Sequence, residues 1–249
     1  MKVYYFIYVV FIILLNSNIA KSEIIQTIYE LKLEVLGLNV KIGQINSTIE
    51  IDNDAYTLKY DLKSENLVEL ISPTNGVGKI NGSFINSIFI PLNYNYTYER
   101  KGITKSTKIE FLNSNVINYE VNPPFEKSKL TPINDSMLLN VIDPSTAIIL
   151  MGDYDLNKNC TIEYRIFDGK RRYDLIYTDI KEKGDYTICT LQRRKLGGFK
   201  INGDDSGGSP FVSAEQIDAY FIKKNNIFAI DKFITKNKSA NLIIDVIIQ

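Results

Sequence analysis

The sequence predicts an all-β protein, built as an antiparallel sheet or barrel with one or two short helices. Apolar and polar residues alternate in short runs from Thr27 to the end of the chain, turn residues cut the runs apart, and only two segments carry helix signals. So many strands with so few helices leave room for little else.

In the first run, Tyr29, Leu31, Leu33 and Val35 share one parity and Ile28, Glu30, Lys32 and Glu34 the other, so one face is largely apolar. Comparable runs lie at 38–51, 55–63, 94–100, 105–112, 116–121, 161–167, 171–180, 185–192, 215–222, 227–235 and 242–248. Asp143-Pro144 supplies an N-cap acid and a first-turn proline to a helix over 145–151, which Gly152 can end in a left-handed conformation. A shorter helix is expected over 66–71, stopped by Ser72-Pro73. The segment 122–136, with Pro123, Pro124 and Pro132, reads as an extended linker between the halves of a single β-rich domain spanning 21–249.

Lys2, an apolar run over 3–15 and Asn18-Ile19-Ala20 have the three regions of a secretory signal peptide, so 1–20 is expected to be removed after Ala20. The run is shorter than the ~20 residues a membrane-crossing helix needs, so an uncleaved anchor is the weaker alternative, and no span is expected after cleavage. Cys160 and Cys189 both fall in the exported part, where a disulfide is the default; two free buried thiols are the alternative. If Cys160 began the first strand of a three-strand meander, it would stand about 10 Å from Cys189, twice the strand spacing. A bond therefore needs Cys160 in the preceding loop, or strands that diverge there.

Lys+Arg and Asp+Glu both total 29, so no basic face is implied and nucleic acid is not an expected partner. The chain has no His, which excludes Ser-His-Asp and Cys-His nucleophiles and His-ligated zinc. Asp204-Asp205-Ser206-Gly207-Gly208-Ser209-Pro210 matches a serine-protease nucleophile loop in part, but without a His it reduces to a polar loop. Asp153, Asp155, Asn157 and Asn159 alternate like the start of a calcium loop, yet Lys158 replaces its glycine and Tyr164 its bidentate acid. Gly76-Val77-Gly78 is too isolated to signal nucleotide binding. No catalytic constellation, metal or cofactor is expected.

Asp168-Gly169 between two alternating runs signals a two-residue hairpin in which Phe167 faces Lys170, Arg165 faces Arg172 and Tyr164 faces Tyr173. One face then carries Tyr164, Ile166, Tyr173 and Leu175 with Arg171 as its lone charge. Glu163, Arg165, Arg172 and Asp174 would form a solvated lattice on the other. A guanidinium on an apolar face must reach a carboxylate, a rim or a ligand. Tyr94, Tyr96 and Tyr98 form a stripe of phenols on one strand, either the wall of a sheet or the lining of a cleft.

Asp143-Pro144-Ser145-Thr146-Ala147, Cys160, then Phe167-Asp168-Gly169-Lys170-Arg171-Arg172-Tyr173-Asp174-Leu175, then Cys189, in that order, resemble the exported bacterial family called domain of unknown function 3108, most closely its alphaproteobacterial branch. The resemblance implies a periplasmic protein with a strongly curved antiparallel sheet or open β-barrel, similar in outline to lipocalins and lipoprotein carriers. It implies no established activity. On these grounds the expected function is binding of a lipid or other amphipathic ligand, or of an envelope protein. The alternatives are a carboxylate-dependent enzyme, with Asp168, Asp174 or Glu163 as acid or base and Arg171 or Arg172 as anion clamp, and a structural component of an envelope complex.

Overall fold

The computed structural model describes residues 22–86, 88–152, 160, 163–202, 214–224, 227–236 and 241–248. The N-terminal segment 1–20, the Asp153 to Asn159 alternation and the loop 204–210 lie outside the described residues.

The first half contributes β1 (Ser22–Val35), β2 (Leu38–Asp52), β3 (Ala55–Ser64), β4 (Thr74–Ile85), β5 (Ile88–Arg100), β6 (Ile103–Leu112) and β7 (Asn115–Asn122). The second contributes β8 (Glu163–Phe167), β9 (Arg172–Lys183), β10 (Tyr186–Gly197), β11 (Gln216–Lys224), β12 (Ile227–Lys236) and β13 (Asn241–Ile248). Helix α1 (Asn66–Ile71) joins β3 to β4, and α2 (Pro144–Gly152) precedes β8. All 13 strands belong to one antiparallel sheet in the order β7-β6-β5-β4-β3-β2-β1-β13-β12-β11-β10-β9-β8. The first and last strands pair at its middle, and β7 and β8 are its edges.

Alternation along each strand puts the apolar set on one side. Ile49, Leu58, Ile80, Tyr94 and Ile109 stand in one row across β2 to β6, and Cys189, Ala219, Phe233, Ile244 and Leu31 in another across β10 to β1. The two rows feed two buried clusters. Helix α2 fills the concavity between them: Ala147 and Met151 belong to one, Ile149 packs on the other, and Leu150 touches both. A helix that is apolar all round has nowhere else to go.

The sheet curls far enough for its edges to meet, although no ladder joins β7 to β8 among the described residues. Tyr119 of β7 packs edge-on against Phe167 of β8, centroids 5.1 Å apart. The chain between β7 and α2 stitches the seam as a strap. Val141 N–H donates to the Ser114 carbonyl (2.7 Å), Ile142 N–H to that of Arg165 (2.9 Å), and Phe167 N–H to that of Ile142 (3.0 Å). Farther back, Thr131 exchanges backbone bonds with Gly198 and Phe199 (2.8 and 2.7 Å). The result is an open, barrel-like sheet, mostly β, with two short α-helices among the described residues.

Candidate functional site

The stretch 74–85, in which no strand was expected, is β4, and its glycines explain the tyrosine stripe. In register, Gly82 lies beside Tyr56, Gly78 between Tyr60 and Tyr96, and Gly76 between Leu62 and Tyr98, all on the concave side. A Cβ on Gly78 would stand 2.1 Å from the Tyr60 ring, and one on Gly76 would stand 3.0 Å from the Tyr96 hydroxyl. The rings of β3 and β5 therefore lie flat across a floor that only glycine can form. Tyr60 and Tyr96 are 5.9 Å apart, and Tyr96 and Tyr98 stack at 5.6 Å. Tyr94 is buried in the core, whereas Tyr96 and Tyr98 are half-buried, so the stripe climbs from the packed interior to the rim. There the Lys105 ammonium sits 6.0 Å from the Tyr98 ring centroid.

Burial pushes the phenol of Tyr96 up to about 12, with the neighbouring Tyr98 adding to it, and raises Tyr60 and Tyr94 as well. All three stay protonated and able to donate at neutral pH.

Inside the shelf lies a polar knot at the start of α2. Asp143 accepts from the Ser145 and Thr146 N–H groups (2.9 and 3.0 Å) and the Thr146 hydroxyl (2.6 Å). Thr146 reaches the Tyr56 hydroxyl at 3.2 Å, and Ser145 donates to Tyr60 at 3.1 Å. Burial raises the Asp143 carboxyl, and the hydrogen bonds from Thr146 and Ser145 pull it partly back. With its oxygens turned to the helix N-terminus and fully enclosed, Asp143 is a cap rather than an accessible base.

The hairpin differs from the two-residue turn expected. Phe167 pairs with Arg172, Ile166 with Tyr173 and Tyr164 with Leu175, so Asp168-Gly169-Lys170-Arg171 is a four-residue loop. The cause is the Asp168 side chain, which accepts from the Lys170 and Arg171 N–H groups (2.9 and 2.6 Å) and so folds the extra residues into the turn. Arg171 leaves the apolar face for the loop, where its Nε donates to Asp168 at 2.9 Å. The register slips by two, an even number, so Tyr164, Ile166, Tyr173 and Leu175 still share a buried face. Gly169 has φ +88, and a Cβ there would meet the Thr107 methyl at 2.5 Å, so the loop abuts β6 where only glycine fits.

The charge lattice is solvated only in part: Glu163 is exposed and Arg165 half-buried, whereas Arg172 and Asp174 are enclosed. Arg172 and Asp174 are each 1% exposed: Arg172 lies against the strap at Met137, and Arg172 and Arg194 close over Asp174. Arg172 donates to Asp174, to the Tyr173 carbonyl (2.7 Å) and, through Nε, to the Met137 carbonyl of the strap (2.9 Å). Arg194 closes the other side of Asp174 at 3.0 Å and reaches Glu163 at 2.8 Å. Desolvation alone would raise the Asp174 carboxyl; the hydrogen bonds from Arg172 and Arg194 outweigh it and hold the group below its usual range.

Cys160 lies in a turn before β8 with φ +53, and its Cα is 6.0 Å from that of Cys189 on β10, at disulfide distance. With Cys160 in a turn rather than on the described strand β8, the meander geometry does not separate them.

Among the described residues no helix is long and apolar enough to cross a membrane, and no three His, Cys, Asp or Glu gather as a metal site. The crystal structure of a beta-barrel-like protein of domain of unknown function DUF1849 from Brucella abortus is similar in fold. Its TM-score is 0.50 at 9% identity, covering 92% of this chain and 96% of that one. A search of the curated proteins finds no match. The family model described as Protein of unknown function (DUF3108) matches residues 28–197, from within β1 to the last residue of β10. That span takes in the tyrosine shelf, the strap, the buried ion pair and both cysteines, and by it the chain belongs to the DUF3108 family.

Proposed function

We propose that this is an exported periplasmic binding protein that takes an anionic amphiphile on the shelf of Tyr60, Tyr96 and Tyr98. The observation that carries the reading is the shelf's construction. Three phenols lie over a glycine floor, half-open to solvent, with Lys105 at the rim. Aromatic faces hold an apolar chain or ring, the phenol hydroxyls orient it, and the ammonium pairs with a carboxylate or phosphate head. Because the interior behind Tyr94 is packed by α2, the ligand lies at the mouth rather than enclosed in the sheet.

The carboxylates an enzyme would need are already engaged. Asp168 holds its own loop and Arg171, Asp174 is clamped between two arginines, and Glu163 accepts from Arg194. Export is supported by the charged, apolar and small-residue regions of 1–20 and by the cysteine pair at disulfide distance. Native mass spectrometry of protein recovered from its own host tests the reading. A co-purifying amphiphile of defined mass is expected, and an empty chain retaining Met1 and two alkylatable thiols would overturn it.

A further inference from the structure

The β8–β9 loop, 168–171, borders the shelf. Gly169 sits against the Thr107 methyl and beside Val121. Thr107 is the β6 residue paired with Tyr96, and it stands two positions from Lys105, which pairs with Tyr98. From behind, Gly198 wedges the loop in place, with φ +78 and room for no Cβ, which would stand 2.9 Å from the Arg171 Cα.

Tyr173 follows the loop on the inward side of β9. It is 2% exposed, its ring is edge-on to Phe199 with centroids 6.5 Å apart, and its hydroxyl makes no hydrogen bond among the described residues. Burial pushes its phenol far up; Asp168 adds to the rise, Arg171 and Arg193 oppose it, and Asp143 adds a smaller rise. Asp143 raises Tyr60 and Tyr94 as well, so phenols from both halves of the sheet converge on the head of α2.

The charges that reach Tyr173 are two acids and two bases, so no net field draws an anion there. The selective feature is a surplus of unengaged donors. Asp168 uses one oxygen on the Lys170 and Arg171 N–H groups and the other on Arg171 Nε. Asp143 uses both of its oxygens on Ser145 and Thr146, inside the fold. The two terminal nitrogens of Arg171 make no hydrogen bond among the described residues, and 14% of its side chain stays exposed. Pinned through Nε, the guanidinium presents a fixed pair of donors.

We infer that Arg171, together with the nearby Tyr173 hydroxyl, receives the carboxylate head of the amphiphile whose chain lies on Tyr60, Tyr96 and Tyr98. The inference rests on the shelf reading and names the head-group class of its ligand. A carboxylate offers two equivalent acceptor oxygens to the paired donors, whereas an alcohol of the same length offers one. Lys105 is a point charge at the rim, and Arg171 fixes the geometry of the head.

Displacement of the neutral fluorophore N-phenyl-1-naphthylamine by decanoate and by decanol tests it. Wild type should prefer decanoate. Arg171→Gln should weaken decanoate roughly ten- to a hundredfold and decanol by less than about threefold, which erases the preference. Arg171→Lys keeps the charge without the fork and should restore only part of it. Tyr173→Phe, which removes the hydroxyl and keeps the ring, should weaken decanoate about fivefold. Decanoate affinity unchanged in Arg171→Gln and Tyr173→Phe, or a preference lost on Lys105→Gln alone, would overturn the inference and leave the shelf standing. Failure of both ligands to displace the probe from wild type would overturn the shelf reading and the inference with it.

Discussion

The Tyr60 ring lies across Gly78 so closely that the glycine's missing Cβ would stand 2.1 Å from it. One hydrogen atom on β4 thus decides whether a phenol from β3 can reach Ser145 at the head of α2.

Gly78→Ala should therefore be costly although the backbone there is ordinary extended strand. Tyr60 has to swing off the floor, giving up its contact with Tyr96 and its bond to Ser145. Overpacking of this kind costs about 1 to 3 kcal/mol, a fall in melting temperature of roughly 2 to 12 °C for a chain of this size. Thermal unfolding measured beside Lys79→Ala, on the outer face of the same strand, checks it; equal melting curves would contradict the account.

Arg172→Ala should destabilise far more than Arg171→Ala. Removing Arg172 leaves the enclosed Asp174 with only the half-exposed Arg194 and frees the Met137 carbonyl of the strap. Breaking a buried pair in this way costs about 3 to 5 kcal/mol. Arg171 contributes a loop bond of about 1 to 2 kcal/mol. Denaturant unfolding of both variants ranks them, and the reverse order would show that the strap is not held through Arg172.

The phenols Tyr60, Tyr94 and Tyr96 make an alkaline prediction. Burial keeps Tyr60, Tyr94 and Tyr96 neutral in the fold, with Tyr96 at about 12, while an unfolded tyrosine ionises near 10. The unfolded chain thus loses protons first, so stability is intact below about pH 10 and falls as pH rises toward the folded value. Absorbance at the phenolate band should show exposed tyrosines titrating near pH 10 and a later, cooperative step coincident with loss of the far-ultraviolet β signal. A single non-cooperative titration would contradict it.

Most of the sheet was legible because period-two alternation survives wherever one face is buried: Tyr29 and Leu31 pack on the core as their parity predicts, as do Tyr164, Ile166, Tyr173 and Leu175, whereas Val35 near the hairpin tip is exposed. β4 escaped notice because Gly76, Gly78 and Gly82 occupy its inward positions, and glycine reads as a turn when it is instead making room for a ring. The hairpin register failed for a local reason, the Asp168 side chain bonding forward into its own loop. Burial of Arg172 and Asp174 had no local signature at all. Arg172 meets Met137, 35 residues away in the strap, and Asp174 meets Arg194 from β10, and a checkerboard of charges on a strand looks the same whether water or another segment covers it.

The shelf as a binding surface is the central claim, and titration of a fluorescent fatty acid such as parinaric acid tests it most directly. Wild type should bind saturably at one site. Tyr98→Ala should weaken binding by about 1 to 2 kcal/mol, roughly five- to thirtyfold, by removing the outermost ring. Gly76→Val, which drives a side chain against the Tyr96 hydroxyl at the open end of the floor, should block it with the β-sheet signal retained. Saturable binding that neither substitution changes, or no binding by the wild type, would contradict the account.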